Sequence, residues 1–308
     1  MNPDELKKRI KSGKVAENIS LSEYTTFGTG GPAKYFVTPY DAEELSVLVR
    51  FLNDEKESFF ILGNGSNLLV SDKGYDGVIV NIGRNHNQAF NSLSLSEVKD
   101  GILISAGSGV RMAAIGKAAL ENSLEGFEPL SGIPGSIGGA AAMNAGAYGK
   151  ELKDVFYSCE GITPEGDMIT LSKEEMNFGY RTSSVLDRGL IVTEVKLLLK
   201  RGDQDEILAG MEDYMKRRKE KQPLELPSAG SAFKRPEGYF AGKLIEEAGL
   251  KGYRIGGASV SAKHCGFVVN DMHGTSDDII RLIRHIQDTV YLQSGVRLET
   301  EIKMLGDF

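Results

Sequence analysis

Apolar residues repeat at helical spacing in several segments of the chain, and short apolar runs typical of strands lie between these segments. Helices are predicted over residues 41–52, 110–122, 203–215, 240–248 and 275–294. Strands are predicted over residues 34–38, 58–62, 68–70, 77–82, 101–106, 190–200, 258–261, 266–270 and 298–305, with a hairpin over 160–171. Strands and helices mixed in this way favour α+β lobes over a single doubly wound sheet.

Polar residues mark where several of these helices begin. Asp41 and Glu44 form one predicted capping box, and Asp203 and Glu206 form another. The second box opens a helix whose predicted apolar face carries Ile207, Leu208, Met211, Tyr214 and Met215.

The main domain boundary is predicted at the start of this helix. Residues 1–202 form the first domain, with lobes of about 1–82 and 83–202. Residues 203–308 form a second, smaller domain in which strands and helices are mixed again.

The net charge of −7 argues against nucleic acid or an anionic membrane as the main partner, because either would favour a basic face. No apolar run approaches the roughly 20 residues that span a bilayer, and no signal peptide is recognised, so we expect a cytoplasmic protein. Cys159 and Cys265 have no metal-type spacing, so no metal site is predicted.

Glycine is in excess, with 37 in 308 residues, and it is clustered in turns at 28–31, 63–65, 107–109 and 132–139. Successive backbone N–H groups in such turns form anion-binding nests, and glycine allows a phosphate to approach closely. A single turn of this kind is more often a plain hairpin. The presence of all four within about 110 residues favours a pyrophosphate site.

None of these turns is a dinucleotide-binding fingerprint of the Rossmann type, which needs a strand before it and a helix after it. The turns at 28–33 and 63–68 both lead into a predicted strand, and the turn at 107–109 lacks the third small residue. A Rossmann fold is therefore not predicted.

Eight motifs, in this order along the chain, resemble the UDP-N-acetylenolpyruvoylglucosamine reductase family. They are TFGTGGPAK (26–34), LGNGSNLLV (62–70), SGIPGSIGG (131–139), NAGAYG (144–149), FGYR (178–181), AGSAFK (229–234), HCGFVVN (264–270) and LETEI (298–302). The resemblance covers nearly the whole chain past residue 20. The chain has no insertion carrying a substrate-covering tyrosine, which is similar to the family's compact second type.

This resemblance implies an α+β protein in which residues 1–202 form a two-lobed FAD-binding domain of the vanillyl-alcohol-oxidase (PCMH) type. Residues 203–308 would form the smaller α+β substrate-binding domain. FAD would be bound noncovalently, its pyrophosphate at the 63–67 loop and its ribityl chain and isoalloxazine along the 133–139 turn. The implied cofactor contacts are Gly63, Asn64, Gly65, Ser66, Asn67, Leu68, Ile133, Pro134, Gly135, Ser136, Gly138, Gly139 and Ala140.

The resemblance also implies the reaction. NADPH would reduce FAD and leave, and UDP-N-acetylglucosamine enolpyruvate would then occupy the same site. Hydride from flavin N5 would reach C3 of the enolpyruvyl group and a proton would reach C2, giving UDP-N-acetylmuramate for peptidoglycan. NADH stays open as the alternative donor, and we expect a monomer with these small molecules as its partners.

Three catalytic residues are implied by motif position. Arg181 and Glu301 would stabilise the charge that develops beside the substrate carboxylate, and Ser231 would donate the proton. Glu301 would either be protonated, its pKa raised by neighbouring negative charge, or orient a donor. Glu299 has the same parity on the predicted strand and is the alternative glutamate.

Substrate contacts are implied for Arg218, which would meet the diphosphate, and for Tyr180 and Lys243. In isolation each would be interpreted as an ordinary surface residue, and His264 as a hydrogen-bonded structural histidine. Lys303 stands where the family usually has arginine. Lysine keeps the charge but lacks the guanidinium fork, so no contact with a carboxylate or the flavin is predicted for Lys303.

Two other functions compete with a reductase. A sugar or alcohol oxidase of the same fold is disfavoured because the 63–67 loop has no His or Cys for covalent flavin attachment. A binding protein that senses a nucleotide sugar is disfavoured because arginine, serine and glutamate are all kept at the three motif positions.

Overall fold

The computed structural model describes residues 3–83 and 89–308. The helices are α1 (Pro3–Arg9), α2 (Ala42–Asp54), α3 (Met112–Glu121), α4 (Glu128–Ser131), α5 (Ile137–Ala142), α6 (Ser184–Asp187), α7 (Gln204–Lys221), α8 (Ala241–Glu247) and α9 (Ser276–Ser294). Within the described residues, none of the helices has both the length and the apolar character that crossing a membrane requires.

The strands are short, apart from one of 11 residues. They are β1 (Lys14–Ser20), β2 (Pro32–Thr38), β3 (Phe59–Leu62), β4 (Leu68–Val70), β5 (Tyr75–Asn81), β6 (Leu93–Val98), β7 (Gly101–Gly107), β8 (Leu124–Glu125), β9 (Gly146–Ala147), β10 (Lys150–Glu151), β11 (Phe156–Ile162), β12 (Met168–Ser172), β13 (Ile191–Arg201), β14 (Ser228–Ser231), β15 (Arg254–Ile255), β16 (Ala258–Val260), β17 (Phe267–Val269) and β18 (Lys303–Leu305).

The chain divides into two compact units. Unit 1 comprises Met1–Glu17, Tyr35–Asn64 and Gly77–Lys216, and unit 2 comprises Asn18–Lys34, Gly65–Asp76 and Arg217–Phe308. Unit 2 thus takes up two early segments that the sequence pattern assigns to the first domain. These units are defined by how compactly the chain folds. The predicted boundary at residue 203 separates cofactor binding from substrate binding, and it stays a prediction.

Unit 1 is built around an antiparallel sheet in the order β12-β11-β13-β7-β6, with β8 pairing the end of β13. The predicted hairpin over 160–171 is confirmed as the turn between β11 and β12. Ile104 and Leu197 are fully buried partners across β7 and β13, and Phe127 and Ile137 pack in the same core. This core fixes the start of α5 against the end of β7.

A second sheet has the order β1-β2-β5-β3, in which β3 and β5 are parallel. Helix α2 begins at the predicted cap, where the Asp41 side chain accepts the Glu44 N–H at 2.8 Å. Its predicted apolar residues, Leu45, Leu48, Val49 and Leu52, are fully buried. Because β3 and β5 are parallel, their carboxyl ends lie at one edge, and the loops that follow them are neighbours.

Unit 2 contains the sheet β14-β17-β16-β15 and the parallel pair of β4 with β18. Helix α9 has a complete capping box from Thr275 and Asp278 and ends at Gly295, whose φ is +72°. The predicted strand over 298–305 is only partly correct. The strand is confined to β18, and Thr300 makes one isolated bridge with Phe233.

The predicted apolar face of α7 is buried only in part. Leu208 and Met215 are exposed, whereas Ile207 and Arg218 are buried, Arg218 with only 7% of its surface exposed. A line along the helix at positions 207, 211, 214 and 218 explains the difference, because these positions follow the 3.6-residue period. Arginine can occupy a buried helix position because its long aliphatic stem packs against apolar neighbours. A search for apolar residues alone does not identify such a position.

Candidate active site

Glycine backbones pack against one another where β3, β5 and β7 end in unit 1. A Cβ on Gly83 would lie 2.3 Å from the Gly63 carbonyl oxygen, and one on Gly109 would lie 2.9 Å from the Gly83 carbonyl oxygen. A Cβ on Gly138 would lie 2.7 Å from the Cβ of Ser108. The sequence therefore brings three strand ends and the start of α5 closer together than any side chain would allow.

The turn before α5 is fixed to the segment after β7 by backbone hydrogen bonds. The Ile137 N–H donates to the Val110 carbonyl at 2.9 Å, and the Met112 N–H donates to the Gly135 carbonyl at 3.2 Å. Gly135 has φ +129°, a conformation that other residues rarely adopt. The Ser136 hydroxyl is held beside Gly63, since a Cβ there would lie 2.8 Å from Ser136 Oγ.

Several glycine amides in these turns are already bonded within the protein. The N–H groups of Gly28, Gly31, Gly107, Gly109 and Gly138 donate to backbone carbonyls at 2.7–3.3 Å. The interpretation of the turns as rows of amides available to a phosphate is therefore wrong for these residues. What glycine supplies at the strand ends is close approach of backbone to backbone.

Space opens beside this packed region at Gly139. Among the described residues, the atom nearest to a Cβ placed there is Ser136 Oγ at 3.7 Å, and no other is within 4 Å outside the helix's own backbone. A flat or extended ligand can therefore approach the backbone of α5 from this side. Small residues in α5, the Ser136 hydroxyl and the glycine strand ends fit a cofactor such as FAD, which needs close backbone approach.

The predicted 63–67 loop is divided between the units, with Gly63 and Asn64 in unit 1 and Gly65 to Asn67 in unit 2. Gly65 has φ +63°, and a Cβ there would lie 1.9 Å from a backbone oxygen. The Asn67 side chain donates to the Glu301 carbonyl at 3.1 Å, and the Asn67 backbone carbonyl accepts the Lys303 N–H at 3.0 Å. Asn67 thus fixes this loop to the C-terminal segment.

Arg181 lies in a tight turn of unit 1, closed by the Gly179 N–H donating to the Thr182 carbonyl at 3.0 Å. Its φ is +57°, in the left-handed region. The guanidinium donates to the Gly146 carbonyl at 3.4 Å and lies 5.0 Å from the ring centroid of the exposed Tyr180. The two side chains predicted from the FGYR motif are therefore in contact.

Ser231 and Glu301 belong to neighbouring segments of unit 2. Ser231 ends β14, and the Glu301 N–H donates to the carbonyl of Ala232, the next residue, at 2.9 Å. The alternative glutamate differs in its surroundings. The Glu299 side chain is 71% exposed and forms an ion pair with Lys234, whereas Glu301 is half-buried.

The predicted substrate residues of unit 2 have different environments. Arg218 is buried, and its guanidinium lies 3.5 Å from the Gln222 side-chain oxygen. Lys243 is exposed on α8 and lies 3.6 Å from Glu247 one turn later, as in an ordinary solvated helix pair. Lys303 is exposed on β18.

His264 is a hydrogen-bonded structural histidine, as expected. Its Nδ1 accepts the Gly266 N–H at 3.0 Å, and its ring packs edge-on against Phe267 at 5.1 Å. Burial lowers the pKa of His264, because the charged imidazolium loses its hydration there.

Comparisons with known proteins cover both parts of the chain. Residues 33–172 match the sequence profile of the FAD binding domain, and residues 222–305 match that of the UDP-N-acetylenolpyruvoylglucosamine reductase C-terminal domain. The reductase of Caldanaerobacter subterraneus is 47% identical over 304 residues, covering 99% of this chain and 98% of the relative. The reductase of Lachnoclostridium phytofermentans is 44% identical, covering 98% and 96%.

A solved structure agrees with these matches. The reductase of Thermus caldophilus superposes with a TM-score of 0.79 at 35% identity, covering 96% of this chain and 100% of that chain. Its backbone and the matched FAD binding domain confirm the predicted fold class, an α+β protein with a flavin domain of the vanillyl-alcohol-oxidase type and a smaller second domain.

The fold and the glycine-lined region thus define an FAD-dependent oxidoreductase. Sequence identity of 44–47% with two reductases, over nearly the whole length, identifies the family within this class of oxidoreductases. The chain belongs to the UDP-N-acetylenolpyruvoylglucosamine reductase family, which confirms the predicted resemblance and the role in peptidoglycan precursor synthesis.

Proposed function

We propose that this chain reduces UDP-N-acetylglucosamine enolpyruvate to UDP-N-acetylmuramate with NADPH as the electron donor. The observation that carries the proposal is the adjacency of the Ser231 and Glu301 segments, within a chain that matches the reductases over nearly its whole length. The enzyme would act as a cytoplasmic monomer, with residues 1–202 serving the cofactor and residues 203–308 serving the substrate.

Noncovalent FAD would be held by Gly63 to Leu68, by Ile133 to Ser136, and by Gly138 to Ala140. The open face at Gly139 and the Ser136 hydroxyl support this assignment. When bound, FAD supplies the hydride that reaches C3 of the enolpyruvyl group. No His or Cys lies in the 63–67 loop to attach it covalently.

The chain's own residues would manage charge and proton. Addition at C3 leaves an enolate-like charge next to the substrate carboxylate, and the Arg181 guanidinium would stabilise it. Glu301 would assist, either protonated or by orienting a donor, and the Ser231 hydroxyl would deliver the proton to C2. Serine is a weak acid, but the intermediate is a strong base, so this transfer is chemically reasonable.

Substrate binding would rest mainly on Arg218, with Tyr180 and Lys243 as further contacts. Arg218 is buried, and because a guanidinium keeps its charge in proteins, its planar fork can pair with two oxygens of a diphosphate. The exposure of Tyr180 and Lys243 fits contacts that form when the nucleotide sugar arrives.

The visible spectrum of the purified protein tests this function. NADPH added without oxygen should bleach a yellow protein, and the enolpyruvyl sugar should then restore the colour. Recovery of colour only with oxygen would identify an oxidase instead. A colourless protein that cannot be reconstituted with FAD would overturn the proposal.

Arg181→Ala tests the charge-stabilising role separately. We expect kcat to fall about 100-fold or more while KM for the enolpyruvyl sugar changes far less, because the charge exists mainly in the transition state. Arg188→Ala, an exposed arginine of the same segment, is the matched control and should retain wild-type kcat. Equal losses in binding and turnover would reduce Arg181 to a positioning role.

A further inference from the structure

Asn144 is a fully buried polar residue whose side chain is satisfied on every side. Its Oδ1 accepts the Lys153 N–H at 3.1 Å. Its Nδ2 donates to the Glu151 carboxylate at 3.1 Å and to the Gly179 carbonyl at 2.9 Å. One buried amide therefore ties its own loop to a distant part of unit 1.

The residue it reaches, Gly179, opens the turn that carries Arg181. The bond to Gly179 is matched by one in the opposite direction, from the Arg181 guanidinium to the Gly146 carbonyl at 3.4 Å. The loop of Asn144 thus holds both the backbone of the turn and the head group of its arginine.

A third bond joins the same two segments. The Ser183 hydroxyl donates to the Ala142 carbonyl at 2.9 Å, on the other side of the turn from Gly179. Side-chain bonds from Asn144 and Ser183 therefore flank Arg181 in sequence. The turn is fixed at both of its ends.

The backbone at Arg181 needs this support. Its φ of +57° lies in the left-handed region, which a long side chain rarely adopts without surrounding constraints. Asn144 itself has φ +42°, a conformation that asparagine tolerates better than most residues. Arg181, whose backbone is strained, is thus held in place by Asn144, whose backbone conformation is one that asparagine tolerates.

We propose that Asn144 is a positioning residue that holds Arg181 in its reactive orientation. The inference rests on the proposed role of Arg181 in charge stabilisation. Through the Gly179 carbonyl, the Asn144 amide fixes the turn, and the turn fixes the guanidinium. Neither the substrate nor the cofactor needs to touch Asn144.

Asn144→Gly is the direct test, since glycine accepts the same φ and removes the buried side chain together with its three hydrogen bonds. We expect kcat to fall about tenfold or more, because small displacements of a catalytic group are costly. KM for the enolpyruvyl sugar should change less than about twofold, and the FAD content should equal that of wild type. Asn177→Gly is the matched control, an exposed asparagine with the same φ of +42°, and should leave kcat unchanged.

A double-mutant cycle with Arg181→Ala distinguishes the possible outcomes. If Asn144 acts through Arg181, adding Asn144→Gly to Arg181→Ala lowers kcat no further. Losses that multiply independently, or an Asn144→Gly enzyme with wild-type kcat, would overturn the inference while Arg181 keeps its role. If Arg181→Ala has wild-type kcat, the proposed role of Arg181 fails and the inference fails with it.

Ser183→Ala provides a second route if Asn144→Gly does not yield folded, FAD-loaded protein. It removes the bond to Ala142 at the other end of the turn, together with the hydroxyl that accepts the Val185 N–H at the start of α6, and leaves the Asn144 side chain in place. The same selective loss in kcat, absent in the Arg181→Ala background, is expected. Wild-type kcat in folded Ser183→Ala would contradict a turn that must be fixed at both ends.

Discussion

Gly139→Ala should stabilise the protein without cofactor and weaken its binding of FAD. Gly139 lies inside α5, and the nearest described atom to a Cβ placed there is Ser136 Oγ at 3.7 Å, an ordinary contact. Nothing in the described part of the protein therefore opposes the added methyl group. If the open space belongs to the cofactor, only the cofactor will oppose it.

The expected effect on the stability of the apoprotein and the expected effect on FAD binding have opposite signs, and each has its own magnitude. Replacing a helical glycine by alanine stabilises by about 0.5–1 kcal/mol. For a protein of this size that raises the Tm of the apoprotein by about 1–4 °C. A methyl group forced into a close-packed contact costs about 1–3 kcal/mol, which corresponds to about a 5- to 150-fold increase in the Kd for FAD.

Thermal unfolding of the deflavinated protein and titration with FAD, followed by flavin fluorescence, measure the two quantities. Gly210→Ala is the matched control, because it is also a helical glycine whose Cβ would meet Glu128 at an ordinary 3.7 Å. It should raise Tm by a similar amount and leave the Kd for FAD unchanged. A Gly139→Ala protein with raised Tm and unaltered Kd would refute the assignment of this space to the cofactor.

Three further changes test other parts of the structure. Gly83→Ala places a Cβ 2.3 Å from the Gly63 carbonyl oxygen, so the free energy of unfolding in urea should fall by about 2–3 kcal/mol, and an unchanged value would contradict the packing. His264→Asn keeps an acceptor for the Gly266 N–H but does not titrate. Because burial lowers the pKa of His264 below its usual 6.5, the wild type should lose stability relative to the variant as pH falls below 6.5, by at most about 1.4 kcal/mol per pH unit, and a difference independent of pH would contradict this. Arg218→Lys should raise KM for the enolpyruvyl sugar about tenfold with kcat nearly unchanged, and an unchanged KM would contradict a bidentate guanidinium contact with the diphosphate.

Local signals were sufficient to predict much of the fold. The cap at Asp41 and the capping box at Thr275 begin helices where predicted, and Gly295 ends α9 in the left-handed conformation that glycine favours. The turns at 28–33 and 63–68 lead into β2 and β4, as expected from the failed dinucleotide fingerprint. Each of these signals acts over a few residues, so the sequence carries it in full.

Other features depend on partners far away in sequence. Strand β18 exists because it pairs with β4, more than 230 residues earlier, and the apolar pattern over 298–305 does not contain that information. Arg218 is buried on α7 because its position follows the helical line, although its charge predicts exposure. Asn144 is the first residue of the NAGAYG motif (144–149), but its bond to Gly179 forms only in the folded chain.

The clustered glycines predict the FAD cofactor correctly, although only some of them act in the predicted way. Backbone amides at Gly109 and Gly138 bond to protein carbonyls, so they do not form free nests. Close packing at Gly83 and Gly63 instead brings the strand ends together, and the open side of Gly139 leaves room for a ligand. Close backbone packing and cofactor binding both require glycine, since each excludes a Cβ. The two requirements can be distinguished by whether an added methyl group would contact the protein or the cofactor. Alanine at Gly83 should therefore damage the fold, whereas alanine at Gly139 should damage only cofactor binding.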